Sequence, residues 1–381
     1  MLRLLLIFAA SLLALSAARC FAAGYTFTGL NYPGTKQTVI NGIVDEDVYG
    51  AGVNYLDNGR LQVHCFIYDL KTRQFLNIGK IFFNEITGRA GDTFVGYFYT
   101  GSNTTSSFIY DMKTQKQTSV DDLLAKSIAD QTSQTPGAFV LGRPQSTQIG
   151  GISNKTIFGT YSYDDGENHG FVYDLVHHSV LLIDAPLAGN AEKFYNGTNL
   201  VAISGNLIVG WYSDAGDVKH GFIYDLTTRR LTILDAPKAS VNKYGGTMVF
   251  GISGSNICGS YYNNHLMALP SGGPVMATHG FIYNLQNRQF TTVDGPWPVD
   301  ETYFTAISGN TAIGAYEDNN SVRHGFLYDL TNGDITPIVD PAAEYLDLQG
   351  GTEPEGIFDN IVVGNYTDSQ RIHRGFIATP N

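Results

Sequence analysis

The chain has 381 residues, of which only 15% are Asp, Glu, Lys or Arg, against about 25% in an average soluble protein. Its 43 glycines, 23 tyrosines and 22 phenylalanines favour strands and turns, and 43% hydrophobic residues support a sizeable core, which excludes disorder and a collagen-like chain. With 23 basic against 35 acidic residues the net charge is -12, so a phosphate backbone, which needs clustered Lys and Arg, is not an expected partner.

The N-terminus is a separate object. Arg3 precedes an apolar run from Leu4 to Leu15, followed by small residues and Ala22-Ala23. That is the layout of a secretory signal peptide over residues 1–23, too short to span a bilayer comfortably. Arg19 stands where a lipid-anchored Cys20 would want a small residue. No later segment is apolar enough to cross a membrane, so a secreted protein, extracellular or periplasmic, is expected.

From residue 24 onward the chain repeats itself. The best-preserved unit reads Ala202-Ile203-Ser204-Gly205-Asn206, Ile208-Val209-Gly210-Trp211-Tyr212-Ser213-Asp214, His220-Gly221-Phe222-Ile223-Tyr224-Asp225-Leu226 and Leu231-Thr232-Ile233-Leu234-Asp235-Ala236-Pro237. The Phe of the third phrase recurs at Phe66, Phe108, Phe171, Phe222, Phe281, Phe326 and Phe376. The Ile of the first phrase recurs at Ile43, Ile86, Ile152, Ile203, Ile252, Ile307 and Ile357. Each phrase is rich in β-branched and aromatic residues and bounded by Gly, Asn, Asp or Pro, the signature of strands and turns. Gly205-Asn206 and Gly309-Asn310 mark tight hairpins.

Four strands in about 50 residues, repeated seven times, predict an all-β fold: a seven-bladed β-propeller of four-stranded blades over residues 24–381. The last copy stops after Gly375-Phe376-Ile377-Ala378, without a fourth phrase. The missing phrase stands at the other end. Phe27-Thr28-Gly29-Leu30-Asn31-Tyr32-Pro33 aligns without a gap on Phe290-Thr291-Thr292-Val293-Asp294-Gly295-Pro296, so the N-terminal strand is expected to complete the seventh blade. Closure removes the free edges of a linear stack, and a monomer is expected.

The His-Gly-Phe-Ile-Tyr-Asp phrase followed by Leu-Asp-x-Pro, with Ile-Val-Gly-x-Tyr upstream, resembles the HAF extracellular repeat family of secreted bacterial proteins across residues 25–381. The resemblance implies an extracellular location and a propeller-like fold, and no particular reaction. Ser106-Ser107 replaces His-Gly in the second copy, and Arg374 takes the His position in the seventh.

His64, His169, His220, His279 and His324 share one position of the third strand. Equivalent residues of different blades cannot converge on one ion away from the axis, so each is expected to hydrogen-bond a neighbouring backbone group or carboxylate. Cys65 and Cys258 fall in non-adjacent units and read as buried free thiols, and no Cys/His spacing indicates zinc. No cofactor is implied, with calcium weighed as a ligand of the carboxylates.

Those carboxylates form two sets. Asp57, Asp164, Asp214, Asp318 and Asp368 follow the second strand, and Asp184, Asp235, Asp294 and Asp340 end the fourth. Propeller connectivity puts both on one face, where they either cap their own loops or make an acidic surface for a cation or polyhydroxylated ligand. Ser162-Tyr163-Asp164-Asp165-Gly166 resembles a sialidase Asp box but occurs once.

Two departures from the repeat point to the same face. Residues 119–147 insert a segment with Val120, Leu123, Leu124 and Ile128 at helical spacing behind Asp121 and Asp122. Residues 263–278 lengthen the loop between the second and third strands of the fifth blade and carry His265. Asn103, Asn154, Asn196, Asn319 and Asn365 head glycosylation-type sequons that also suit plain turns.

Function stays open between three readings. One is an extracellular binding module for a carbohydrate or protein, with Asp57, Asp164, Asp214, Asp318, Asp368 and His265 as ligand-face candidates. Another is a glycan-active enzyme on that face, drawing a carboxylate pair from the first Asp set. The third is a structural surface or matrix protein. A shallow aromatic face would favour binding; a deep mouth with two carboxyls in reach would favour the enzyme.

Overall fold

The computed structural model describes residues 24–56, 61–76, 85–100, 104–133, 143–163, 167–186, 188, 196–268, 274–295, 301–318, 322–344 and 350–381. The proposed leader, Asp57 and Asp164 lie outside them. Among these residues there are 28 strands and one helix. The strands fall into antiparallel meanders of four. Unit four is the simplest: Asn196–Ser204, Leu207–Ser213, Lys219–Asp225 and Arg230–Leu234, each paired to the next. Gly205, with φ 59°, opens the turn between its first two strands, a conformation that suits Gly in a two-residue hairpin.

Tyr25–Leu30 pairs with His373–Pro380, from Tyr25 opposite Pro380 to Leu30 opposite Gly375, so the unit that begins at Thr352–Phe358 takes its fourth strand from the other end of the chain. Asn381 N–H donates to the Gly24 carbonyl at 2.8 Å and closes the join. Short parallel bridges, such as Lys219 opposite Gly246 and Thr278 opposite Glu301, link four successive meanders into one 16-stranded sheet.

The units stack through their faces. The first strand of each lies against the first strand of the next, and Thr352–Phe358 of the last unit lies against Gln37–Val44 of the first. Hydrophobic clusters fill the layers between them. Phe158, Val172, Leu200, Ile208 and Phe222 join units three and four, and Val363, Ile377 and Leu30 of the last unit join Ile40, Val48 and Phe66 of the first. The seven third-strand phenylalanines are 0–1% exposed, and burying each ring contributes roughly 1.5–3 kcal/mol.

A glycine of the second strand makes room for six of these rings. At Gly210 an added Cβ would lie 2.1 Å from the Asn199 carbonyl oxygen and 2.7 Å from Phe222 Cζ; at Gly96 it would lie 2.1 Å from Glu85 O and 2.7 Å from Phe108 Cζ.

Strand register corrects one alignment. Every first strand carries a bulge, and Ile86, opposite Gly96 just before it, matches Ile40 and Leu200 rather than Ile43 and Ile203. Arg89 holds the Ile position of unit two, where it pairs with buried Asp47 and lies over the Phe94 ring at 5.0 Å. A cation in an otherwise apolar slot concealed the match.

The insertions also differ from simple loops. Val120–Ser133 is a helix, capped by Ser119 Oγ accepting from Asp122 N–H at 3.2 Å. Val120, Leu124 and Ile128 pack with Ile109, Ile149, Phe171 and Val180, so the helix is built into the layer between units two and three. In unit five Asn256–Ala268 and Pro274–Asn284 continue as a hairpin, with Leu266 opposite Met276, beyond a bulge after Tyr262.

Cys258 is buried and Cys65 half-buried, and neither is in a disulfide; burial pushes each thiol up to about 12.

Candidate functional site

Unit four shows the polar arrangement in full. Tyr212 of the second strand stands opposite His220 of the third, and their rings stack at 5.0 Å. His220 Nδ1 is 2.8 Å from Asp235 Oδ2 and Nε2 is 3.5 Å from Asp214 Oδ2. An ionised carboxylate only accepts, so the ring nitrogen that carries a proton is the donor, and the protonated imidazole donates on both sides. The Asp235 and Asp214 bonds raise the His220 pKa against the effect of burial. Asp214 also accepts from the backbone N–H groups of Gly216 (2.8 Å) and Val218 (2.9 Å). Burial opposes its charge, but those N–H groups and His220 outweigh it and hold the carboxyl below its ordinary value.

The two Asp sets therefore meet at one histidine and share one rim. His169 reaches Asp184 at 3.0 Å and stacks on Tyr161; His279 reaches Asp294 at 2.7 Å and stacks on Tyr261; His324 reaches Asp318 at 3.0 Å and stacks on Tyr316. These histidine side chains are 22–24% exposed, so they sit at the edge of the layer between units rather than deep in it.

Register shows where the second-strand set is interrupted. Gly52, not Tyr55, faces His64, which puts Asn54 at the position of Asp214. Tyr32 fills the space over Gly52 and stacks on Phe66 at 5.2 Å. Tyr161 faces His169, so Tyr163 holds that position in unit three and Asp164 falls one residue later. In unit five it is Asn263, whose amide is 2.5 Å from His279 Nε2. Asp318 Oδ1 accepts from Val322 N–H, and Asp368 Oδ1 from Gln370 and Ile372 N–H. The described members of the set thus cap their own loops.

Asp340 stands apart from the fourth-strand set. Its backbone N–H, at 3.0 Å from Thr352 Oγ1, takes the place of Ala236 N–H on Thr247, so its carboxyl is one residue out of register and caps the N–H of Ala342.

Units two and seven keep the geometry with other residues. Ser106 Oγ donates to Asp121 Oδ2 at 2.6 Å, across the same 15-residue separation as His220 and Asp235, and Arg143 adds an ion pair at 3.2 Å. Arg374 Nε donates to Asp368 at 2.9 Å where other units use His. Asn365, a sequon residue, accepts from Ile40 N–H and donates to Ile40 O, tying the last unit to the first.

A second polar cluster centres on Glu85, Glu353 and Glu355 of the first strands of units two and seven. Tyr97 donates to Glu85, Tyr303 donates to Glu353 at 2.8 Å, Arg323 donates to Glu353 at 2.6 Å, and Asn365 Nδ2 donates to Glu355 at 3.1 Å. Burial, then the neighbouring charge of Glu353, pushes the Glu355 pKa up to about 8. Tyr49, Tyr97 and Tyr303 are raised by burial and by these carboxylates.

Seven large hydrophobic residues are exposed among the described residues, including Val176 in a turn of the opposite face and Ile233 in a fourth strand. Among the described residues, Tyr55, Leu56, Tyr99, Val241 and Tyr244 all sit where second strands end or where one unit passes to the next, the face that carries both Asp sets. Val241 is 80% exposed, and Lys243 Nζ lies 4.9 Å from the Tyr244 ring centre. His265 belongs to the long hairpin of unit five on this face, and its side chain is outside the described residues. Among the described residues no three His, Cys, Asp or Glu side chains gather around a common cation position.

Sequence reasoning missed two features. Thr38, Thr147, Thr198, Thr247, Thr302 and Thr352 are 0–1% exposed, and Thr198, Thr247 and Thr302 accept from the backbone N–H that follows the fourth strand. The signal was present, a Thr five residues before the Ile of the first phrase. Glu85, Glu353 and Glu355 left no such trace, since they occur in two units only.

No protein-family model matches the chain, and no curated protein sequence matches it. Among solved structures it is similar to the β-propeller domain of the Trilobed protease from Pyrococcus furiosus, described as having an open velcro topology: 9% identity over 91% of this chain and 95% of that one, TM-score 0.57. It is similar to the Pyrococcus horikoshii acylaminoacyl peptidase, at 8% identity and TM-score 0.53 over 93% of this chain and 53% of that one. A prolyl endopeptidase structure gives 11% identity and TM-score 0.52 over 94% and 47%. The chain spans about half the length of these peptidases. At such identities the likeness carries the fold alone: this is an all-β chain with a β-propeller fold.

Proposed function

We infer that the chain is a secreted, seven-bladed β-propeller that serves as an extracellular binding module, presenting the face of its longer connections to a carbohydrate or protein. Seven meanders, inner strands that adjoin in sequence from first unit to last, and a last unit that packs on the first support the blade count. The repeat phrases support kinship with the HAF-type extracellular proteins, and the leader over residues 1–23 supports export.

One observation carries the binding reading: five of the seven exposed large hydrophobic residues, Tyr55, Leu56, Tyr99, Val241 and Tyr244, stand on that face, in units one and two and in the passage from unit four to unit five. Aromatic rings with an apolar body and a polar tip supply contact area at low entropic cost and are enriched where partners dock. The acidic candidates on the same face, Asp214, Asp318 and Asp368, are engaged by their own loops and by His220, His324 and Arg374. Retention of the purified protein on a glycan array, lost in the Tyr55→Ala/Tyr99→Ala/Tyr244→Ala variant with an unchanged melting temperature, is the expected result. Equal retention by the variant contradicts it.

A second reading, a glycan-active enzyme, draws on Glu355. A carboxyl held neutral up to about pH 8 beside Glu353, which is bonded by Tyr303 and Arg323, has the complementary protonation that acid and base catalysis requires. Hydrolysis of chromogenic glycosides that disappears in Glu355→Gln would select it over the binding reading.

A further inference from the structure

We propose that the opposite face carries a second binding site, for an uncharged polyhydroxylated molecule such as a neutral sugar, in the recess between the turns of units five and six. The recess is open to solvent and holds about 330 Å³, at the lower end of the roughly 300–1,000 Å³ usual for small-molecule sites. Ser253, Ser255, Asn256, Asn284, Gln286 and Asn310 line it with hydroxyl and amide groups and no charge.

The repeat explains why that lack of charge is informative. The third strand ends in Asp69, Asp111, Asp174, Asp225 and Asp329 in five other units, and each carboxylate accepts the N–H groups of the turn that follows. Unit five alone has an amide at this point of the phrase. Asn284 Oδ1 still accepts from Gln286 N–H (3.0 Å) and Asn287 N–H (3.2 Å), so the turn is held as before. The fold therefore does not require the change.

What the change adds is donors. Asn284 Nδ2 donates to Asn256 Oδ1 at 2.7 Å, across a pair that is Leu207 and Asp225 in unit four and Thr311 and Asp329 in unit six. Gln286 Nε2 reaches Ser255 Oγ at 3.2 Å, where units four and six have Thr227 and Thr331 in the same place in the turn. The far wall is held in position by Gly309 N–H donating to Ser253 Oγ at 2.9 Å, a bond that also joins the two units. Planar amides and hydroxyls, able both to donate and to accept, match the alternating donors and acceptors of a sugar ring. A carboxylate at residue 284 would only accept.

This site is separate from the aromatic face, and the test keeps them apart. Saturation-transfer NMR is run with glucose, galactose, mannose and N-acetylglucosamine as probes. The protein is expected to transfer saturation to at least one of them. Asn284→Asp, which restores the residue of five other units and keeps the turn, is expected to weaken that binding ten-fold or more, and Gln286→Ala to weaken it several-fold. The Tyr55→Ala/Tyr99→Ala/Tyr244→Ala variant is expected to retain it. No transfer to any of the four probes, or binding unchanged in Asn284→Asp, overturns the proposal.

Discussion

Units four and two perform the same structural task with different residues. In unit four a His220 only partly exposed joins Asp235 and Asp214 at the rim. In unit two Ser106 and Ser107 both bond Asp121, whose side chain is 5% exposed and is backed by Thr147 and Arg143. The helix begins at Val120 and buries this carboxylate, while Asp235 stays open to water. The bond pattern, not the histidine, is therefore what a unit needs. Residues that repeat with such a role describe the scaffold, and features the scaffold does not require are the ones to read for function.

The largest effect is expected furthest from unit four, in the unit built from both chain ends. Deleting residues 24–35 removes the strand paired with residues 375–380 and the Tyr32 ring stacked on Phe66. The melting temperature should fall by more than about 10 °C; an unchanged value would remove the closure. Gly210→Ala and Gly96→Ala should then cost alike, about 1–3 kcal/mol each in chemical unfolding, because both push a methyl into a carbonyl oxygen and a buried Phe ring. A neutral Gly96→Ala would mean that unit two does not share the scaffold of unit four.

The Asp pair should separate the two units. Asp121→Ala leaves buried donors without their acceptor and is expected to cost about 3 kcal/mol. Asp235→Ala, at a site whose side chain is 39% exposed, should cost less than about 1 kcal/mol. Equal costs would contradict the burial argument.

Two pH effects are smaller in scope. Glu355 binds its proton more tightly folded than unfolded, since its pKa rises from 4.5 to about 8. Folding stability should fall as pH rises through that window and level off above it, by on the order of a few kcal/mol. Glu355→Gln keeps an acceptor for Asn365 and should flatten the curve; a curve with the same slope would contradict the assignment. His220, also raised, contributes stability that is present below its ordinary 6.5 and is lost as pH rises through its folded value. His220→Gln should remove only that smaller slope, read from denaturant midpoints between pH 5 and 9.

Much of the fold was legible because periodic phrases report on strands. The Phe positions, the N-terminal strand that completes the last unit and the helix after Ser119 all follow from pattern. Register was less legible. Ile86 mimicked the repeated Ile because Arg89 holds the Ile position of unit two, and Tyr55 mimicked Tyr212 although Gly52 occupies its place. Asp340 resembled the fourth-strand set in sequence and lies one residue away from it. The Glu85, Glu353 and Glu355 cluster could not be read in advance, because it depends on the last unit lying against the first. Exposure of Tyr99 and Tyr244 likewise emerges only once strand ends are placed in space.

The central claim is that the repeated rim carboxylates hold the scaffold while the exposed tyrosines of the same face engage a ligand. Glycan-array retention of two triple variants, compared side by side with the unaltered protein, tests it most directly. Tyr55→Ala/Tyr99→Ala/Tyr244→Ala is expected to abolish retention at an unchanged melting temperature. Asp214→Asn/Asp318→Asn/Asp368→Asn is expected to retain its glycans but melt several degrees lower. Retention lost with the Asp variant and kept with the Tyr variant would place the ligand on the carboxylates instead.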